Sequence, residues 1–317
     1  MNNSPFATSV QENEELRKVY LMSVISKIGF VCYDTKDIER LADYHEGVLG
    51  FRIQREGNLC YCYGSSGDAE IVLRHSDRSG CTVLGLQLCD EQSRSDLKRR
   101  LSSQGVKVAK GSHVALTLGL DEAIALPNIH GIDIVVYGQS WPSMEPLRAS
   151  AAILPSKLGH AAFNVIDPQA TVAFFTDIFG FKVSDWMGDF FAFLRCNSDH
   201  HAVNFLRGDQ AKNHHVAFEL RDWSHVQQAC DHLARNKIKL IWGPGRHGIG
   251  HNIFTYHYDP DGNIIELFTE LDRIAGEELG YFEPRPWHSE KPQVPRIWTP
   301  EEASNLWGEP APANFRK

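Results

Sequence analysis

The chain has 317 residues, of which 42% are hydrophobic and 23% charged, and a formal net charge of −8. That length builds one large core or two medium ones, and the acidic balance excludes nucleic acid as a main partner because no lysine and arginine field offsets it. The longest apolar runs are short and interrupted, so no membrane-spanning helix and no membrane partner are expected.

The opening MNNSPFATSVQENEELRK has neither a basic start nor an apolar centre. It reads as a tail over residues 1–20, not as a secretory signal. Seven cysteines, Cys32, Cys60, Cys62, Cys81, Cys89, Cys196 and Cys230, are odd in number and contain no C-x-x-C pair. Neither a disulfide framework nor a zinc ribbon is indicated, and free thiols in a reducing cytoplasm are the expected state. Ten of the 15 histidines fall between residues 160 and 257 inclusive, which directs the search for a metal to that half.

An internal repeat sets the expected architecture. KIGFVCYDTKDIERLADYHEGVLGFRI, from Lys27, matches KLGHAAFNVIDPQATVAFFTDIFGFKV, from Lys157, in a pattern of strand, acidic turn, amphipathic helix, Gly-Phe and strand. TVLGLQLCDEQSRSDLKRRLSSQGVKV, from Thr82, likewise matches HHVAFELRDWSHVQQACDHLARNKIKL, from His214. The reading is an α+β chain of four βαβββ modules, paired into two domains at residues 21–140 and 157–275. A proline-broken stretch at 141–156 reads as the linker. Residues 276–317 are rich in proline and carry Trp287, Trp298 and Trp307. They read as an arm packed on the body or on a neighbouring subunit, with no candidate catalytic side chain, whose removal should disturb binding or assembly more than chemistry.

Within the second domain, the strands LGHAAFNV and NHHVAFEL place His160 and His215 at matching repeat positions, 55 residues apart. The strand after the DPDG turn carries Glu266, which shares a face with Ile264 and Phe268 and so points to the core. A carboxylate there is costly without a cation, and two imidazoles with one carboxylate are the donor set that leaves positions open on Fe(II). The corresponding first-half positions read as Gly29, Val83 and Val135, none of them able to bind a metal, so the centre is expected in the second domain alone. Further polar groups gather nearby: His247 in a glycine-rich loop, then His251 and Tyr256, and His201 on an expected strand with Ala202 and Asn204 on the opposite face. Trp186, Phe190, Phe191 and Phe193 form an aromatic stretch that could wall a pocket.

GRHGIGHNIFTYHYDPDGNIIE resembles the signature of extradiol dioxygenases of the vicinal oxygen chelate superfamily, and the resemblance spans residues 27–270. It implies two vicinal oxygen chelate domains, each a half-open mixed sheet around a cavity. His160, His215 and Glu266 would be ligands of Fe(II), with Mn(II) as the alternative. His201 would lie beside the oxygen site with His200 as competitor, and His247 and Tyr256 would meet the substrate, with Trp186, Trp242 and His251 as further substrate contacts. In the NHHV pair the family pattern makes His215, not His214, the ligand. Three departures are Thr255, where the signature prefers an aliphatic residue, a stretch from His201 to His215 one residue shorter than in some members, and Trp242, where relatives acting on carboxylated catechols can place an arginine. The implied partners are a catechol and O2, in a cytoplasmic homo-oligomer, with a tetramer favoured. The competing readings are a metal-dependent glyoxalase-like lyase or isomerase and a ligand-sequestering protein of the same fold. No Gly-x-Ser-x-Gly elbow or nucleotide-binding glycine loop is present.

Overall fold

Near-continuous apolar runs give two long central strands, β1 (Ile25–Thr35) and β8 (Lys157–Val165), which are buried on both faces over most of their length. The computed structural model describes residues 23–108, 120, 122–138, 142–147, 151–276, 281–282, 294–313 and 315. The expected tail over residues 1–20 and Trp287 lie outside the described residues.

Each half begins with a strand and a helix capped by an aspartate. Asp37, Asp90, Asp167 and Asp222 each accept a backbone N–H from the first turn of the helix that follows, Ile38–Gly47, Glu91–Ser103, Pro168–Phe174 and Trp223–Arg235 respectively. Such a side chain satisfies an N–H that the helix itself leaves without a partner, so one acidic residue per module fixes where four helices start. The third helix runs on as a π-helical turn, Phe175–Phe179, and stops at Gly180 with φ +75°. Gly50, at φ +82°, occupies the same Gly-Phe step in the first half; this left-handed conformation is open to glycine at little cost.

The remaining strands of the first half are β2 (Arg52–Glu56), β3 (Leu59–Tyr63), β4 (Ala69–His75), β5 (Gly80–Leu88), β6 (Ile124–Ile129) and β7 (Ile132–Tyr137). The second half adds β9 (Lys182–Met187), β10 (Phe191–Arg195), β11 (Val203–Arg207), β12 (Lys212–Glu219), β13 (Leu240–Arg246), β14 (Ile253–Tyr258) and β15 (Ile264–Thr269). The first sheet has the order β2-β3-β4-β1-β5-β7-β6. The second has the order β13-β14-β15-β12-β8-β11-β10-β9-β18, with β18 (Ile297–Trp298) supplied by the arm. Read from the opposite end, the stretch β9-β10-β11-β8-β12-β15-β14 reproduces the seven strands of the first sheet, the repeat expected from the sequence, and β18 and β13 are added at the two edges. β16 (Ile274–Gly276) and β17 (Tyr281–Phe282) form a separate pair.

The halves are joined by polar contacts as well as by packing. Arg40 pairs with Asp261 at 2.5 Å, Thr35 donates to the same carboxylate at 2.6 Å, and the Tyr44 hydroxyl lies 2.7 Å from His257 Nε2. The arm packs on its own chain. β18 runs parallel to β9, and a short helix, Pro300–Ala303, starts at Thr299 with a reciprocal capping box to Glu302.

Candidate metal centre and its cavity

Strand register brings the three donors together. Ala217 of β12 is opposite His160 of β8 on one side and Glu266 of β15 on the other. Glu266 in turn is opposite Tyr256 of β14, and Tyr256 opposite Trp242 of β13. One row therefore crosses five strands as His160, Ala217, Glu266, Tyr256, Trp242. His215 sits two residues before Ala217, on the same face of β12. The small Ala217 side chain leaves the space between His160 and Glu266 open.

The donor atoms converge in that space. His160 Nε2 is 3.0 Å and His215 Nε2 3.2 Å from Glu266 Oε2, and the two ring nitrogens are 3.2 Å apart. All three residues are buried, Glu266 to 1% exposure. Burial opposes ionisation of Glu266, but the adjacent His160 and His215 outweigh it and hold its carboxyl well below the usual range. Among the described residues no lysine or arginine forms an ion pair with it. Two imidazoles and a carboxylate packed this closely, without a permanent cation, fit a divalent metal of the two-histidine, one-carboxylate type. Asn252 Nδ2 donates to Glu266 Oε1 at 3.0 Å and orients the carboxylate from behind; sequence reading passed over it beside the more conspicuous His251.

The adjacent histidines differ in placement. A bulge between Asn213 and His215 lets His214 line the same cavity. His214 Nδ1 lies 2.7 Å from His215 Nδ1, behind the ring whose Nε2 faces Glu266. Burial, with His215 next to it, pushes His214 down to about 3, which leaves it neutral and able to accept from His215 Nδ1–H.

In the first half the same register gives Phe30 opposite Gly85, Gly85 opposite Val135, and Val135 opposite Ala125. The counterpart of His160 is thus Phe30, not the Gly29 expected from the sequence: Gly29 matches Gly159. The counterparts of His215 and Glu266 are Val83 and Val135. Phe30, Val83 and Val135 belong to one apolar cluster with Tyr61, Val72, Ala125 and Tyr137. Core side chains fill the space that polar donors line in the second half.

The second-half cavity is bounded by His160, His215 and Glu266 at its polar end, and Met187, Phe190, Phe191, Phe193 and Leu206 form an apolar wall. His201 faces it with its ring centroid 4.4 Å from that of His160. Burial, together with neighbouring His160 and His200, holds His201 well below its ordinary value. His200 does not line the cavity. Contrary to the sequence expectation, His201 lies in the loop before β11 and not on the strand. Strand alternation therefore does not apply to it, and Asn204 lines the same cavity. Opposite, the Tyr256 hydroxyl is 3.1 Å from His247 Nε2, and Trp242 stacks on Tyr256 with centroids 5.5 Å apart. Burial lowers His247 to about 4 and raises Tyr256 well above its usual range.

Two expected substrate contacts lie elsewhere. Trp186 packs against the main core, because Asp185 and Met187 take the other face of β9 and alternation turns the residue between them away. His251 has φ +51° and its Nδ1 is 2.5 Å from Asp272 Oδ2, which directs the ring away from the cavity. The arm supplies wall residues that sequence reading did not anticipate: Ala303, Ser304, Ala311 and Phe315.

Residues 157–267 match the model of the Glyoxalase/Bleomycin resistance protein/Dioxygenase superfamily. The chain is 32% identical over 128 residues to Metapyrocatechase 2 of Cupriavidus necator, a stretch covering 39% of this chain and 40% of that protein. It is 26% identical over 218 residues to Metapyrocatechase of Pseudomonas sp. strain CF600, covering 62% and 69%. Among solved structures, the Mn(II)-bound glyoxalase of Novosphingobium aromaticivorans superposes with a TM-score of 0.78 at 26% identity, covering 93% of this chain and 94% of that one. No helix among the described residues is long and apolar enough to cross a membrane. The chain has the two-domain vicinal oxygen chelate fold, and its residues 157–267 are similar to the Glyoxalase/Bleomycin resistance protein/Dioxygenase superfamily.

Proposed function

We propose that this chain is a metal-dependent extradiol dioxygenase that inserts both atoms of O2 into a catecholic ring, beside the two hydroxylated carbons, in the degradation of aromatic compounds. The observation that carries the reading is the placement of three donor atoms within 4.8 Å of one another at the polar end of an otherwise aromatic cavity. His160, His215 and Glu266 would hold iron(II), with manganese(II) accepted by the same donors. Bound, the metal supplies Lewis acidity toward the catechol oxygens and an electronic route between a closed-shell ring and O2.

The chain's own groups divide into two sides. His247 donates its Nδ1–H to the Ser304 carbonyl at 2.7 Å, so its Nε2 is bare and takes the Tyr256 hydroxyl proton as a hydrogen bond. This pair orients a catechol hydroxyl and accepts its proton. His201, across the cavity, serves the oxygen side as a proton acceptor and donor. Met187, Phe190, Phe191, Phe193 and Leu206 exclude water and stack on a planar ring. No cationic side chain lines this cavity among the described residues, which favours an uncharged catechol over a carboxylated one.

The glyoxalase likeness supports a second reading, a metal-dependent lyase or isomerase on the same donors. A panel of catechol, alkylcatechols and dihydroxybiphenyl, assayed under air with anaerobically iron-loaded protein, separates the two. Oxygen uptake with a coloured ring-opened product supports ring cleavage; no uptake with any catechol, together with glutathione-hemithioacetal turnover, supports the other. His247→Phe should cost about 10²–10⁴ in rate while leaving metal bound.

A further inference from the structure

Behind His201 two buried polar side chains, His200 and Asp185, form a line that the reaction above does not use. His200 Nδ1 lies 2.9 Å from His201 Nδ1, and His200 Nε2 lies 3.0 Å from Asp185 Oδ2. The other carboxylate oxygen, Asp185 Oδ1, accepts the backbone N–H of Arg296 at 2.7 Å, from the arm. Asp185, His200 and His201 are all buried.

With both imidazole rings neutral, proton counting along this line leaves one arrangement. An ionised carboxylate only accepts, so Asp185 Oδ2 takes the Nε2–H of His200. In the neutral ring, Nδ1 of His200 is then bare. The proton between the two Nδ1 atoms belongs to His201, and Nε2 of His201 is the bare nitrogen left for the cavity that the ring lines. We propose that Asp185 and His200 are positioning residues that lock His201 in its Nδ1–H tautomer, so that Nε2 meets the oxygen side of the cavity as a proton acceptor. The assignment rests on the cavity being a catechol site. It also gives the arm a chemical task, since the Arg296 N–H settles which carboxylate oxygen faces His200. The first-half counterparts are Gln54, Asp68 and Ala69, by the register of β2, β3 and β4, and these cannot form such a line.

Asp185→Asn tests the proposal while keeping every hydrogen bond. The Arg296 N–H still needs an acceptor, so the new amide oxygen takes that place and its NH2 faces His200 Nε2. His200 must then carry its proton on Nδ1, and His201 is driven to the Nε2–H tautomer. In serine proteases an Asp-to-Asn change that leaves geometry intact but inverts a histidine tautomer costs about 10⁴ in kcat. For Asp185→Asn we expect a fall of about 10²–10⁴ in kcat, a displaced pH profile, and unchanged KM for the catechol and unchanged metal content. His200→Gln, whose amide can donate to Asp185 and accept from His201, should stay within about tenfold of wild type, whereas His200→Phe should resemble Asp185→Asn. Nitrogen-15 imidazole NMR of the metal-free protein reads the tautomer without activity: protonated Nδ1 at His201 in the wild type, protonated Nε2 in Asp185→Asn. Wild-type kcat and pH profile in Asp185→Asn, or the same His201 tautomer in both proteins, overturns the proposal. A wild-type protein that cleaves no catechol overturns the functional reading instead, and the NMR result still decides the tautomer.

Discussion

The backbone carbonyl of Ser304 lies 2.7 Å from His247 Nδ1, and this contact decides which nitrogen of His247 faces Tyr256. A carbonyl accepts and does not donate, so the ring proton sits on Nδ1 and Nε2 is left for the hydroxyl 3.1 Å away. The arm thus bears on the proposed chemistry through its backbone.

Ending the chain at residue 293 should therefore lower kcat as well as raise KM, by about 10- to 100-fold in kcat/KM, while metal content stays at the wild-type level. The deletion removes the Ser304 carbonyl, the Arg296 N–H and the Phe315 wall together. Steady-state kinetics and metal analysis on the truncated protein check this; a change confined to KM would mean that the arm is only a cover, as the sequence alone suggested.

His160→Ala, His215→Ala and Glu266→Ala should each abolish metal retention and ring cleavage with the fold retained. Asn252→Ala should weaken metal affinity by about 10- to 100-fold, the usual effect of losing a group that orients a ligand from behind. Competition against a chelator measures both. Loss of metal in His214→Ala with full metal in His215→Ala would reverse the assignment of the ligand.

Burial pushes the Glu70 carboxyl up to about 7, against weaker help from the Leu158 backbone and Ser66, and its Oε2 has no hydrogen-bond partner. A folded-state value above the unfolded one means that Glu70 favours folding below the unfolded pKa, and that this contribution is lost as pH rises through about 7. Glu70→Gln, neutral at every pH, should be more stable than wild type at pH 8 by roughly 3 kcal/mol at most and close to wild type near pH 4.5. Urea unfolding at both pH values reads the difference, and an equal gap at the two would remove ionisation as its cause.

The first half should hold no metal. Phe30, Val83 and Val135 fill its counterpart site with apolar volume, and an anomalous difference map at the iron edge should show one site per chain, between His160, His215 and Glu266.

Much of this was legible in the sequence because repeats and periodicity are local. The repeat from Lys27 and Lys157 announced the duplicated sheet, its acidic turns preceded the helices, and the Asp-Pro-Asp-Gly turn before Glu266 fixed the phase of β15. Those features depend on residues a few positions apart. The pairing of His160 and Glu266 with Ala217, the packing of half-buried Trp186 on the opposite face of β9, and the turn of His251 toward Asp272 depend on register across strands and on one left-handed residue, which no local pattern encodes. The same holds for the arm. Pro and Trp content marked the residues beyond 276 as an arm, but only the tertiary structure brought Ser304 to His247 and Arg296 to Asp185, because backbone C=O groups, and N–H groups outside proline, are the same from residue to residue and leave no trace in a sequence.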